Sequence, residues 1–357
     1  MDLFEKYNSM GKNAITTTRT DFSKSIGEEG TKDIIKSVLL GGNVRDTTEF
    51  ITQRRLLNSY ASMISLFVNM ETNSNGDFNF KEYSENISES LSGAKNDAKI
   101  FYLWLMGLTK KGFDNVARGQ LTQYSESFVS ATEEAIEDFE TEFGPLTGKI
   151  NINGEEINIS WEIFCLIGIA IGSQTLTIRG SSKSMNGKMF EKLVLGTLLT
   201  ISGFKYCSKP PTSIKLTDKF FWLSNMDANE RETDATLIYN GKAINIDIGF
   251  IGKGNPEITL DKVTRFGAYK QIGGISHDMS TIIIVDTVGE NSDLFNKASH
   301  VNGHVLQMKE KDWTIKFAQL IQDIFGFSSD LSSQNSDQLE NFFDSNLSLI
   351  NVSDFFN

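Results

Sequence analysis

Arg231-Glu-Thr-Asp-Ala-Thr-Leu-Ile-Tyr-Asn-Gly-Lys-Ala-Ile-Asn-Ile-Asp-Ile-Gly249 sets two alternating apolar runs on either side of Asn240-Gly241. Both turn residues tolerate positive φ, so the stretch predicts a β-hairpin with a two-residue turn. Such a turn fixes the register. Tyr239 faces Lys242, Leu237 faces Ile244, Ala235 faces Ile246 and Thr233 faces Ile248, which makes that side the core. The other side pairs Ile238 with Ala243, Thr236 with Asn245, Asp234 with Asp247, and Glu232 with Gly249. Like charges directly across a ladder repel. A divalent cation between the two carboxylates reverses the sign of that interaction. The competing reading places one Asp beyond the strand end, where water solvates it.

Outward from the hairpin, residues 184–202 read as an amphipathic helix with Phe190, Leu193, Val194, Leu198 and Ile201 inward, ended by Gly203. Lys188 and Glu191, three apart, share its flank. A short strand is expected at 204–208. Past the hairpin, Asn255-Pro256 reads as a helix start, with Asn as cap and Pro in the first turn. That helix is expected to run to Ile272, where Gly273-Gly274 stops it. Thr281-Ile-Ile-Ile-Val285 is an uninterrupted β-branched run, the pattern of a strand buried on both faces. A strand at 304–308 and a helix at 313–325 come next.

Upstream, residues 150–159 form a second hairpin pattern turning at Asn153-Gly154. The longest apolar run, 163–171, is shorter than a membrane span and predicts a buried helix from about Trp161. Helical stripes occupy 31–70, 95–109 and 120–142. The expected fold is α+β / α/β. A mainly α-helical domain covers 1–148, a domain with a mixed central sheet covers 149–326, and an acidic polar extension covers 327–357.

The 357 residues suffice for two or three domains with real cores. A net charge of −12 argues against nucleic-acid binding through overall charge, yet it leaves room for a local basic cleft. Acids concentrate in residues 133–142 and in the tail, as solvated faces do. The N-terminus has no signal-peptide pattern, and Cys165 and Cys207 sit among apolar or aromatic residues. These features lead us to expect a cytoplasmic protein without a membrane partner.

Residues 71–82 match most of a calcium-binding EF-hand loop. Asn73, Asn75 and Asp77 fall within it, Gly76 at its turn and Glu82 at its last ligand position, but Glu71 stands where the motif has Asp. No second such loop occurs in the sequence. A non-catalytic, calcium-binding interaction protein is therefore one alternative.

The order from 184 to 285 (helix, strand, antiparallel pair, helix, buried strand) resembles the αβββαβ core of the PD-(D/E)XK nucleases. Type II restriction endonucleases are the best-populated stand-alone members of that superfamily. Thr233-Asp234 resembles its first element without the Pro, and Asp247-Ile248-Gly249 its second, with Gly249 in the place of Lys. The resemblance implies that Asp234 and Asp247 bind Mg²⁺, joined by Glu191 from the preceding helix and by Glu232. It also implies a lysine that assists the attacking water. Lys253, in a Gly-Lys-Gly loop just past the strand, and Lys188, on the helix, are the two candidates. Lys183, Lys262, Arg265 and Lys270 are candidate contacts to DNA phosphates. The activity that the resemblance implies is Mg²⁺-dependent, sequence-specific cleavage of double-stranded DNA by an endonuclease. Its expected partners are a second copy of itself and, genetically, a cognate DNA methyltransferase. A repair or junction nuclease and an inactive nuclease fold used for binding are the nearer alternatives.

Overall fold

Asn240 and Gly241 adopt φ 50° and 74°, and the hairpin they close has the register that a two-residue turn dictates. Strand β5 (Ala235–Tyr239) pairs antiparallel with β6 (Lys242–Gly249), from Tyr239 opposite Lys242 to Ala235 opposite Ile246. The computed structural model describes residues 2–71, 79–117, 119–224, 233–250, 269–289 and 303–356.

Within these residues the chain is α+β and forms two compact units, Met1–Thr18 with Glu49–Lys183, and Arg19–Thr48 with Ser184–Asn357. The first unit is helical apart from one hairpin, β1 (Gly148–Ile152) with β2 (Glu155–Ile159), which turns at Asn153-Gly154 as expected. Phe67, Phe101 and Trp104 fill its core. The Trp104 indole donates to Thr177 Oγ1 at 3.0 Å, which satisfies its polar edge in that apolar setting.

The second unit carries a seven-stranded mixed sheet. Short β3 (Lys205–Tyr206) runs parallel to β4 (Phe220–Leu223), and β4 runs antiparallel to β5. Strand β6 then lies parallel to β8 (Ile275–Val285). The first half of β8 also pairs with β7 (Tyr269–Ile272) and its second half with β9 (Gly303–Gln307). A strand covered on both faces reads as a continuous apolar run, and residues 281–285 are buried throughout.

Two expectations need correction. Residues 269–272 are strand, not the end of a helix. Gly273 and Gly274 take φ 57° and 83° and turn a tight hairpin, which a Gly-Gly pair does as readily as it stops a helix. The remainder of that expected helix lies outside the described residues. Secondly, the two helices expected around Arg179-Gly180 are one, Trp161–Ile201. A mid-helix glycine costs only about 1 kcal/mol, so packing overrides it. Arg179 pairs with Glu49 at 3.0 Å, and Arg55 reaches Ser181 and Ser182 at 3.1 and 3.0 Å. By length and composition that helix is apolar enough to cross a membrane. Its Ile163, Leu166 and Ala170 instead belong to the core of the first unit.

Beyond Phe327, a 3₁₀ turn (Asp330–Ser333), a helix (Leu339–Leu347) and a second 3₁₀ turn (Val352–Phe355) bury Leu331, Phe343, Leu347 and Phe355. Its acids stay outward, and Asp344 accepts from Lys36 at 2.8 Å.

Candidate active site

The side of the sheet that carries Asp247 has a buried polar band set into apolar surroundings. Trp222, Ile238, Ala243, Ile272 and Met279 form an apolar cluster at one end, and Ile283 and Val285 form another. Between them lie Thr236, Asn245, Asp247 and Thr281, all buried. Alternation puts Asn245 and Asp247 on one face of β6. On the neighbouring strands Asn245 sits opposite Thr236 and Thr281, and Asp247 opposite Ile283. Thr236 Oγ1 donates to Asn245 Oδ1 at 3.0 Å, and Thr233 Oγ1 lies 3.1 Å from Thr236 Oγ1. Sequence reading passed over Thr236, Asn245 and Thr281. The available signal was Asn245 at the parity of Asp247 in a strand whose opposite face is Ile244, Ile246 and Ile248.

Asp234 stands one residue before β5 and is half-buried. Hydrogen-bonded pairs alternate along an antiparallel ladder, so the pair after Ala235–Ile246 would be Thr233–Ile248. Instead the Asp234 carboxylate takes the Ile248 amide, accepting from it through Oδ2 at 2.8 Å. The Asp234 carbonyl accepts from Ser224 N at 3.1 Å on the other side. Asp234 thus closes the open end of the hairpin, and its side chain is fixed at the residue adjoining Asp247. Asp247 is only 3% exposed. A buried carboxylate is costly unless something offsets its charge.

Among the described residues, no three His, Cys, Asp or Glu side chains gather closely enough to hold a metal by themselves. Mg²⁺ does not need three, because it keeps several waters and binds through one or two carboxylates plus substrate phosphates. The hard-oxygen set of Asp234 and Asp247 fits that requirement.

The other expected residues are scattered. Glu191 is half-buried, on the helix Trp161–Ile201. Lys188, one turn earlier, is exposed and lines a cavity whose wall includes neither aspartate. Lys183 is exposed on the same helix, and Lys270 falls on β7. Glu232, Lys253, Lys262 and Arg265 lie outside the described residues, as do Asn73, Asn75 and Asp77 of the EF-hand-like loop. Glu82 is described and exposed, and its amide donates to the Asn79 cap at 2.9 Å. A further buried carboxylate, Asp286, comes directly after β8 and accepts from Asn43 Nδ2 at 3.2 Å.

A family model described as CfrBI restriction endonuclease matches residues 28–293, a span that contains Glu191, Asp234 and Asp247. The type II restriction enzyme CfrBI of Citrobacter freundii is 38% identical over 333 residues, covering 91% of this chain and 92% of that protein. No solved structure matches the chain. Over that length such identity means shared descent and a shared fold, and the chain belongs to the CfrBI restriction endonuclease family.

Proposed function

We propose that this chain is a Mg²⁺-dependent type II restriction endonuclease that hydrolyses phosphodiester bonds of double-stranded DNA at a defined sequence, with Asp234 and Asp247 as its central carboxylates. The observation that carries the site is the Asp234 carboxylate held on the Ile248 amide, next to the buried Asp247. Preorganised oxygen donors at the end of a rigid sheet cost no reorganisation when substrate arrives.

Asp234 and Asp247 would hold Mg²⁺, which when bound lowers the pKa of water and offsets charge on the phosphate. The protein's share is positional. The Ile248 amide orients one carboxylate, and the polar band of Thr236 and Asn245 lies beside the other. Lys253 is the favoured cation for the attacking water, because Lys188 lines a cavity apart from the aspartates. Glu191 joins the site from its helix, with Glu232 flanking Asp234. Lys183, Lys262, Arg265 and Lys270 contact DNA phosphates. Two copies of the chain, acting as a homodimer in the cytoplasm, cut the two strands, and a cognate methyltransferase protects the host DNA.

Incubation with a large duplex of mixed sequence and Mg²⁺ tests this reading. Discrete fragments are expected, and Asp247→Ala should yield none. Full cleavage by Asp247→Ala would place the active site elsewhere.

A further inference from the structure

The helix Trp161–Ile201 buries one side in the core of the helical unit and keeps the other exposed. Ile163, Leu166 and Ala170 are inside, whereas Phe164 is 57% and Leu176 68% exposed. Phe164, Gly168, Gly172 and Leu176 lie four apart, so they form one ridge of the helix, and all four are exposed. Among the described residues, a Cβ built on Gly168 or Gly172 meets nothing within 4 Å. Beyond Phe164 the apolar surface continues. The Phe164 ring stands edge-on to Trp161 at 6.0 Å, and Trp161 contacts Phe139 and Phe143 at 5.4 and 6.2 Å. Phe143 is 71% exposed. A contiguous exposed patch of large apolar side chains marks an interaction surface.

The two ends of the ridge carry opposite charge. At the Phe164 end, burial and the nearby Glu133 and Glu140 push the Glu162 carboxyl above its ordinary range. At the Leu176 end stand Lys183, which is exposed, and Arg179, half exposed in its pair with Glu49. A half turn about an axis level with Ala170 exchanges Phe164 with Leu176 and Gly168 with Gly172. It also lays the basic end of one copy on the acidic end of the other. A two-fold contact requires this kind of self-complementarity, because both copies offer the same patch. The acids disfavour a lipid surface, whose potential is negative.

We propose that this face of the helix Trp161–Ile201 is the surface on which two copies of the chain meet, with their helices antiparallel and crossing at Gly168 and Gly172. Glycine removes the side chains that would hold the two backbones apart. Phe164 of each copy then packs beside Leu176 of the other. This rests on the reading of the chain as a homodimer and is independent of the two aspartates.

Sedimentation equilibrium of the full-length chain tests the surface. The parent should be dimeric at about 10 μM. Gly172→Leu adds a side chain where the single chain has open space, and leucine is the better helix former. The variant should therefore fold, while its dimer weakens by at least about a hundredfold. Arg179→Glu should weaken the dimer about tenfold, because a two-fold contact loses each pair twice. Adding Glu140→Arg to the same chain should restore it. A dimer that Gly172→Leu leaves unchanged would overturn this surface and keep the homodimer. A parent still monomeric at about 100 μM would remove the homodimer reading as well. Flotation of that monomer with vesicles of phosphatidylcholine and phosphatidylglycerol, lost in Phe164→Ser, would give the face to lipid instead.

Discussion

At the scale of single residues, the contact that Asp234 makes and the metal-binding role proposed for it are separable by substitution. Asp234 Oδ2 accepts from the Ile248 amide, so Asp234→Ala orphans a donor at a strand end. That should cost about 1–3 kcal/mol, read as a lower melting temperature without metal. Asp234→Asn keeps an acceptor oxygen and should melt close to the parent, yet cleave no DNA. Asp247→Asn removes a buried charge without removing volume. Stabilisation by Mg²⁺ should vanish in a variant that still folds. Strand parity set Asp234 opposite Asp247, whereas the paired ladder ends at Ala235 with Ile246 and Asp234 lies one residue beyond it, held through its side chain. Parity was not enough to show a carboxylate replacing the Thr233 carbonyl, because alternation says which face a side chain takes and nothing about where a ladder ends. A different carboxylate gives a pH prediction. Burial, with Glu133 and Glu140 nearby, pushes the Glu162 carboxyl above its ordinary range. The ionised form is thus the disfavoured one, and its cost to the fold appears as pH rises through the raised pKa. Glu162→Gln should therefore raise the melting temperature at pH 7 and leave it unchanged at pH 3, and an equal gain at both would refute this cause.

At the scale of elements, local signals succeeded where one residue type dominates and failed where two outcomes share one signal. Asn240-Gly241 and Asn153-Gly154 turned as two-residue hairpins because positive φ at both positions leaves few other conformations. Gly273-Gly274 carries the same chemistry, and the helix-like spacing before it concealed the strand at Tyr269–Ile272. In the helix Trp161–Ile201, Gly180 and its serine neighbours looked like a break, since sequence does not show the contacts that Arg55 makes to Ser181 and Ser182. The C-terminal segment makes the same point about composition. Its acids and serines read as periphery and its leucines and phenylalanines as able to dock, and Phe343 is fully buried and Phe355 nearly so. Phe343→Ala should cost about 3–5 kcal/mol, a core-sized penalty measurable by urea denaturation. A loss below about 0.5 kcal/mol, the usual size for a surface substitution, would mean that the segment does not stay docked in solution.

At the scale of the whole molecule, the electrostatics oppose the proposed substrate. A chain of net charge −12 and a polyanion repel at long range, so approach to duplex DNA needs screening or local cations. The two effects depend on salt in opposite directions. Screening of the overall repulsion makes binding stronger as salt rises, whereas release of counterions from phosphates contacted by lysine or arginine makes it weaker. Once bound, contacts lie within a few ångströms, and the distant acids act across roughly a Debye length of 8–10 Å near physiological salt. Contact chemistry should therefore win. Duplex affinity is expected to fall steeply between about 50 and 200 mM salt, by at least tenfold if several phosphates are neutralised. At the lowest salt the association rate should flatten or decrease, because repulsion is then unscreened. Cleavage of a specific site should track affinity when DNA is limiting and lose its salt dependence when DNA is saturating. Filter binding and single-turnover cleavage over one salt series measure all three. An affinity that rises monotonically with salt would show that no local cluster of cations grips the backbone, and would point to a basic protein partner in place of DNA.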